Sequence, residues 1–181
     1  RAKNRRFFTS NNERAFVISQ LQNILSTRSL LDNPNGYRAL SAHIDLLAFS
    51  LTTTGIELLM FSISELSVHR LAAQLLTQLI DYRQTYQTVH FQETLYCKKV
   101  QKLCGPHEAL ARSISLHCLH NDWEYDRYSS IGFYLHDRRG DWMRLWRLAR
   151  LYHNQPTYYR QLIEDCLRTR SYATSARAIM A

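Results

Sequence analysis

Leu47–Phe61, LAFSLTTTGIELLMF, is the stretch on which the fold turns. Three threonines and a glycine, Thr52 to Gly55, separate two apolar runs. The flanking segments, Ala42 to Phe49 and Ile56 to Ile63, are short and rich in apolar and β-compatible residues. Two antiparallel strands joined at the polar TTTG are therefore expected. Such a turn is either plain punctuation or the strand end where chemistry meets a substrate.

Helical spacing flanks this hairpin. Upstream, NNERAFVISQLQNILS (residues 11–26) places Phe16, Val17, Ile18, Leu21, Ile24 and Leu25 at helical intervals. Ser10 or Asn11 supplies an N-cap there, with Glu13 following. LLDNPNGYRAL (residues 30–40) then carries the densest turn signals and reads as a loop. Downstream, Leu66, Leu71, Leu75, Leu76, Leu79 and Ile80 predict a helix from Glu65 to about Tyr86. TLYCKKV (residues 94–100) reads as a further strand, and Gly105-Pro106 as a break before a helix through EALARSISLHCLH. YSSIGFYL is a strand or an irregular packed segment. DWMRLWRLARLY (residues 141–152) reads as an amphipathic helix, with Trp142, Leu145, Trp146 and Leu148 inward and Arg144, Arg147 and Arg150 in water. Pro156 opens a last helix, and the tail beyond it is expected to fray.

At 181 residues, 45% of them hydrophobic and with only 5 Gly and 3 Pro, the chain is long and apolar enough to bury a core. Charged residues interrupt every apolar run, which excludes a membrane-spanning helix. The basic start RAKNRRFFTSNNER has no apolar signal core, so a cytoplasmic location is expected, with Cys97, Cys104, Cys118 and Cys166 reduced. A net charge of +8 favours polyanionic partners, because cationic side chains bind phosphates and release counterions. The order of elements predicts an α+β fold, an antiparallel sheet with helices packed on one face, plus a C-terminal helical extension. Residues 1–135 form the core in this reading, and residues 136–181 the extension packed on it.

Several segments, taken in order, resemble the REP-associated tyrosine transposases, relatives of the small HUH single-strand DNA transposases. RAKNRRFF before NNERAFVISQL is similar to the family's basic segment and first helix. LLAFSLTTTGIELLM resembles its strand–turn–strand, LLAYVLMPNHVHLL, and ELSVHRLAAQLLT its next helix. HFQETLYCKKV resembles HLFQGRFKA, EALARSISLHCL resembles LLRYIHLNPV, DRYSSIGFYL resembles YPWSSYRAYL, and YYRQLIEDCL resembles YRRFVEEGL. The collinear series covers nearly the whole chain.

The resemblance implies a ferredoxin-like core. It also implies a site in which two histidines at i and i+2 on one strand hold a divalent cation while a tyrosine attacks the scissile phosphate. Carried over by position, the histidine pair falls on Gly55 and Glu57, the nucleophile on Ser113, and the polar residue four later on His117. A second register, HIDLL over NHVHLL, offers His43 and Asp45 instead. The chemical residues are thus replaced while the frame is kept, so no catalytic residue, metal or cofactor is expected. The implied function is a catalytically inactive, transposase-derived DNA-binding protein acting on hairpin, single-stranded or duplex DNA. The alternatives are a divergent metal-dependent nuclease and a basic protein-interaction module. A monomer is the expected state.

The candidate phosphate contacts are Arg1, Lys3, Arg5 and Arg6, then Lys98, Lys99 and Lys102, then Arg138, Arg139 and Arg144. Nearby aromatics offer stacking surfaces for unpaired bases, although Trp142 and Trp146 also suit a core. Cys104-x₂-His107 with His117-x₂-His120 has the composition of a zinc set, and ordinary semi-buried side chains are the simpler reading.

Overall fold

The computed structural model describes residues 7–26, 40–86, 102–120, 124 and 126–179, with side chains as far as 169. Its first element is α1 (Asn11–Leu25). Ser10 caps the helix by accepting the Glu13 N–H at 3.3 Å. The Glu13 carboxylate reaches back to the N–H and hydroxyl of Thr9, at 2.9 and 2.8 Å. The sequence SNNE thus closes the helix start in the manner of a capping box.

A short 3₁₀ turn (Leu40–Ala42) leads into β1 (Ile44–Thr52), which pairs antiparallel with β2 (Gly55–Ser62). Thr53 and Thr54 form the loop, and Thr52 Oγ1 accepts the Thr54 N–H at 3.3 Å. A threonine hydroxyl therefore does locally what a turn asks of its residues. The register shifts between Leu46 and Ala48, so Leu47 sits in a bulge. Its carbonyl accepts the Tyr134 hydroxyl at 2.9 Å.

Helix α2 (Glu65–Tyr86) buries Leu71, Leu75 and Leu79 at four-residue intervals, and α3 (Pro106–His117) begins on its proline. Then come α4 (Ile131–Tyr134), α5 (Trp146–Ala149) running into a 3₁₀ turn (Arg150–Tyr152), and α6 (Pro156–Ile179). The described residues thus form a mixed helix-and-sheet fold with a two-stranded antiparallel sheet and six helices. The strand expected at residues 94–100 and nearly all of the loop at 30–40 lie outside the described residues.

Helices pack on both faces of the hairpin, which corrects the one-faced arrangement expected. On one face Phe49, Leu51, Ile56 and Leu58 meet Val17 and Leu21 of α1 and Leu71, Leu75 and Leu79 of α2. On the other, Leu47, Ala48 and Leu59 meet Leu110 and Leu116 of α3 and Tyr159 and Ile163 of α6. The reason is readable in β1, where every residue from Leu46 to Leu51 is buried. A strand apolar on successive positions needs cover on both sides.

The outer edge of β1 is closed by main chain from later in the sequence. Leu51 N–H donates to the Tyr128 carbonyl at 2.9 Å, Ser130 N–H to Phe49 at 3.0 Å, and Arg144 N–H to Leu46 at 2.9 Å. YSSIGFYL is therefore neither a strand nor irregular throughout: Ser129 makes a single bridge to Ser50 and α4 begins at Ile131.

The amphipathic helix expected over residues 141–152 is cut short. Met143 bridges to Leu46, and helix begins only at Trp146, so the helical phase restarts. Trp142 is buried against Phe49 and Phe133, whereas Trp146 is 63% exposed. Arg147, expected in water, is instead half-buried and ion-paired to Asp45 at 2.5 Å.

Helices α1 and α2 are tied to each other by a buried ion pair. Arg83 donates Nε to Glu13 Oε1 at 3.0 Å and Nη2 to Oε2 at 2.9 Å, and it also reaches the Phe7 carbonyl. Both charges are withdrawn from water, so each depends on the other for compensation.

Candidate functional site

Gly55 opens β2, with Glu57 two residues on and Leu59 two beyond it. Leu59 packs in the cluster that contains α3, so this row of β2 faces that helix. A Cβ at Gly55 would meet nothing within 4 Å, and its φ is not positive, so neither space nor backbone requires glycine there. Glu57 is half-exposed and accepts from Arg112 of α3 at 2.8 Å, a carboxylate already neutralised by a cation.

Ser113 and His117 lie on the buried side of α3, one turn apart, and both meet Tyr159 of α6. The Tyr159 hydroxyl is 3.0 Å from Ser113 Oγ and 2.9 Å from His117 Nδ1. His117 Nε2 is 2.7 Å from Ser130 Oγ, which in turn accepts the Phe49 N–H at 3.0 Å. One proton arrangement satisfies every member: Tyr159 donates to Nδ1, Nε2–H donates to Ser130, and Ser130 donates to the Phe49 carbonyl at 3.3 Å. Ser113 then shares its proton between the Tyr159 oxygen at 3.0 Å and the Leu110 carbonyl at 2.8 Å.

Electrostatics lock the same state. Burial, with repulsion from His120 and Arg138, lowers the His117 pKa to about 3, so the imidazole is neutral. Burial raises the pKa of Tyr159, Tyr134 and Tyr152 above the ordinary phenol value. Each keeps its proton, and a protonated phenol sealed in a core is a poor nucleophile. A filled, closed polar network of this kind specifies how helices seat against each other.

A second polar chain joins Ser50 of β1, His120 after α3, and Asp126. Ser50 Oγ lies 2.7 Å from His120 Nε2, and His120 Nδ1 pairs with the Asp126 carboxylate. The order serine, imidazole, carboxylate matches the arrangement that activates a nucleophile. Here Ser50 is fully buried in the middle of a paired strand. The trio therefore ties β1 to the segment after α3 rather than presenting a hydroxyl to substrate. Burial pushes the Asp126 pKa up, but hydrogen bonds from His120 and the Tyr128 N–H outweigh it and leave the carboxyl below its usual value. His117 and His120, whose spacing suits a shared face, thus point into separate hydrogen-bond chains.

The expected phosphate contacts divide sharply. Arg1, Lys3, Arg5, Arg6, Lys98 and Lys99 lie outside the described residues. Lys102 is 82% exposed in its side chain and ion-paired to Glu65 at 3.0 Å. Arg139 is exposed. Arg138 is turned inward instead, donating to the carbonyls of Arg127, Asp126 and Ser129 at 3.1, 2.9 and 2.8 Å. Its guanidinium crosses Gly132 so closely that a Cβ there would collide with it, which is why glycine occupies the position. Arg138 thus holds the 126–130 segment against β1, and these carbonyls occupy the donors a phosphate would need. Arg144 donates to the Asp141 carbonyl and lies 3.7 Å from Asp45.

Sequence reasoning missed Arg112, Ser130 and Tyr159, because nothing local announces a partner supplied by another element. Tyr159 in YYRQL is read from spacing as a helix residue only. Among the described residues no three His, Cys, Asp or Glu side chains gather where they would hold a metal ion. Nor, among them, is any helix long and apolar enough to cross a membrane. Compared with family models, curated proteins and solved structures, the chain finds no match in any of the three.

Proposed function

We propose that this chain is a catalytically inactive, transposase-derived DNA-binding protein built on a ferredoxin-like core. The observation that carries the reading is the fate of the positions the resemblance assigns to chemistry. The row of β2 that bears Gly55 and Glu57 faces the helix that bears Ser113 and His117, as strand and nucleophile helix would in the related enzymes. Gly55 carries no side chain, and the other three positions have structural tasks. Glu57 is paired with Arg112, and Ser113 and His117 are closed into the Tyr159–Ser130 network. Substituting all of these positions while keeping the frame removes cleavage and leaves binding. The net charge of +8 supports a polyanionic partner, with hairpin, single-stranded and duplex DNA as the targets and regulation as the role.

Binding of the full chain to labelled hairpin, single-stranded and duplex DNA, measured across a salt series, tests this. Affinity that falls as salt rises is expected. No binding to any of the three at low salt would sink the proposal. Incubation of the single-stranded hairpin with Mg²⁺ or Mn²⁺ is expected to leave it intact. A cleaved strand or a covalent adduct would replace the binding reading with a nuclease.

A further inference from the structure

An open groove of about 540 Å³ lies between the turn after α4 and the turn after α5, lined by Trp146, Arg150, His136, His153, Asn154 and Tyr152 among others. Three features set it apart from the remaining surface. Trp146 is 63% exposed at its rim, although a tryptophan of that exposure forgoes burial worth more than that of any other side chain. Arg150, His136 and His153 are exposed around it, and no acidic side chain lines it. Among the described residues, the three non-glycine positions with positive φ are His136, His153 and Asn154, and all three line this groove. These residues end helical turns in left-handed backbone, which histidine and asparagine adopt more readily than most, so two turn ends shape the concavity.

The indole is also held in place. Arg147 is anchored on Asp45 at 2.5 Å and lies 3.7 Å from the Phe61 ring centroid and 4.7 Å from that of Trp146. Phe61 is itself 42% exposed, so an aromatic–guanidinium–aromatic stack runs along the surface beside the groove. Rigid exposed aromatics flanked by arginine are the elements that bind unpaired bases, the rings through stacking and the cations through the backbone.

We propose that this groove is a single-stranded nucleic-acid site, in which Trp146 stacks on an unpaired base and Arg150 contacts the adjacent phosphate. The proposal rests on the DNA-binding reading above and adds the place and the form of nucleic acid. Charge complementarity selects the occupant, since the lining offers the Arg150 guanidinium, polar imidazoles and a flat ring but no carboxylate.

The test measures fluorescence anisotropy of a labelled oligothymidylate and of a labelled duplex with the full-length wild type, W146A and R150A. W146A is expected to weaken single-strand binding by about fivefold to a hundredfold, the range for loss of one stacked base, and to spare the duplex. R150A is expected to reduce the slope of log affinity against log salt by about 0.7, one phosphate contact on a single strand. Tryptophan emission quenched by oligothymidylate in the wild type should not be quenched in W146F. Wild-type binding that both substitutions leave unchanged overturns this site and leaves the DNA-binding reading standing. Failure of the wild type to bind any DNA overturns both. A dimer in sedimentation equilibrium that W146A dissolves, with DNA binding intact, assigns the groove to a second copy and also overturns it.

Discussion

The buried imidazole of His117 makes the stability of this protein depend on pH in a way that can be worked from the structure. Its ordinary pKa of 6.5 falls to about 3 in the fold, first because burial strips water from the charged ring and then through His120 and Arg138. As pH falls through 6.5, the unfolded chain takes up a proton that the folded chain refuses. Stability conferred by the neutral ring is therefore complete above the unfolded pKa and is lost below it, at about 1.4 kcal/mol per pH unit down to about pH 3. Between about pH 7 and pH 5 the loss amounts to about 2 kcal/mol, a large share of the 5–15 kcal/mol that holds a typical domain together. Urea unfolding of the wild type and of His117→Gln across that interval isolates the effect, because the substitution removes the proton site at residue 117. His117→Gln should be weaker at neutral pH, since the Tyr159 and Ser130 hydroxyls lose a matched partner, yet it should lose about 2 kcal/mol less on acidification. Equal losses in the two proteins would refute the reasoning, since the folded ring would then be taking up its proton freely.

Further outcomes follow from the same contacts. Arg83→Met is expected to cost about 3–5 kcal/mol in chemical denaturation, because it strands the Glu13 carboxylate in the core, and adding Glu13→Leu should recover part of that loss. Trp142→Ala should cost about 3–5 kcal/mol, whereas Trp146→Ala should shift the urea midpoint by the equivalent of only about 0.5 kcal/mol. Arg112→Ala removes a partner from Glu57 where both side chains are half in water, so thermal unfolding should register less than about 1 kcal/mol.

The sequence by itself determined the elements whose signals are local. The α1 helix with its SNNE cap, the hairpin about Thr53-Thr54, the long α2 and the proline starts of α3 and α6 follow from periodicity and turn chemistry within a dozen residues. Gly55, Glu57, Ser113 and His117 are singled out by the resemblance alone, as an expectation, and no local pattern marks them as a set. Tertiary structure alone decided what those positions do. Trp142 and Trp146 have helical spacing, yet one is buried and the other exposed, because the Met143 bridge to Leu46 breaks the helix between them. Arg138 and Arg139 are neighbours of equal charge, but only Arg138 meets the carbonyls of the 126–130 segment. Ser113 and His117 acquire their meaning from Tyr159, more than forty residues away, as Glu57 does from Arg112. A pattern along the chain specifies which face a residue occupies, since that depends on its neighbours at one turn or one pleat. The partner that satisfies a buried hydroxyl, ring or charge comes from whichever segment the fold brings alongside, and no local period encodes it.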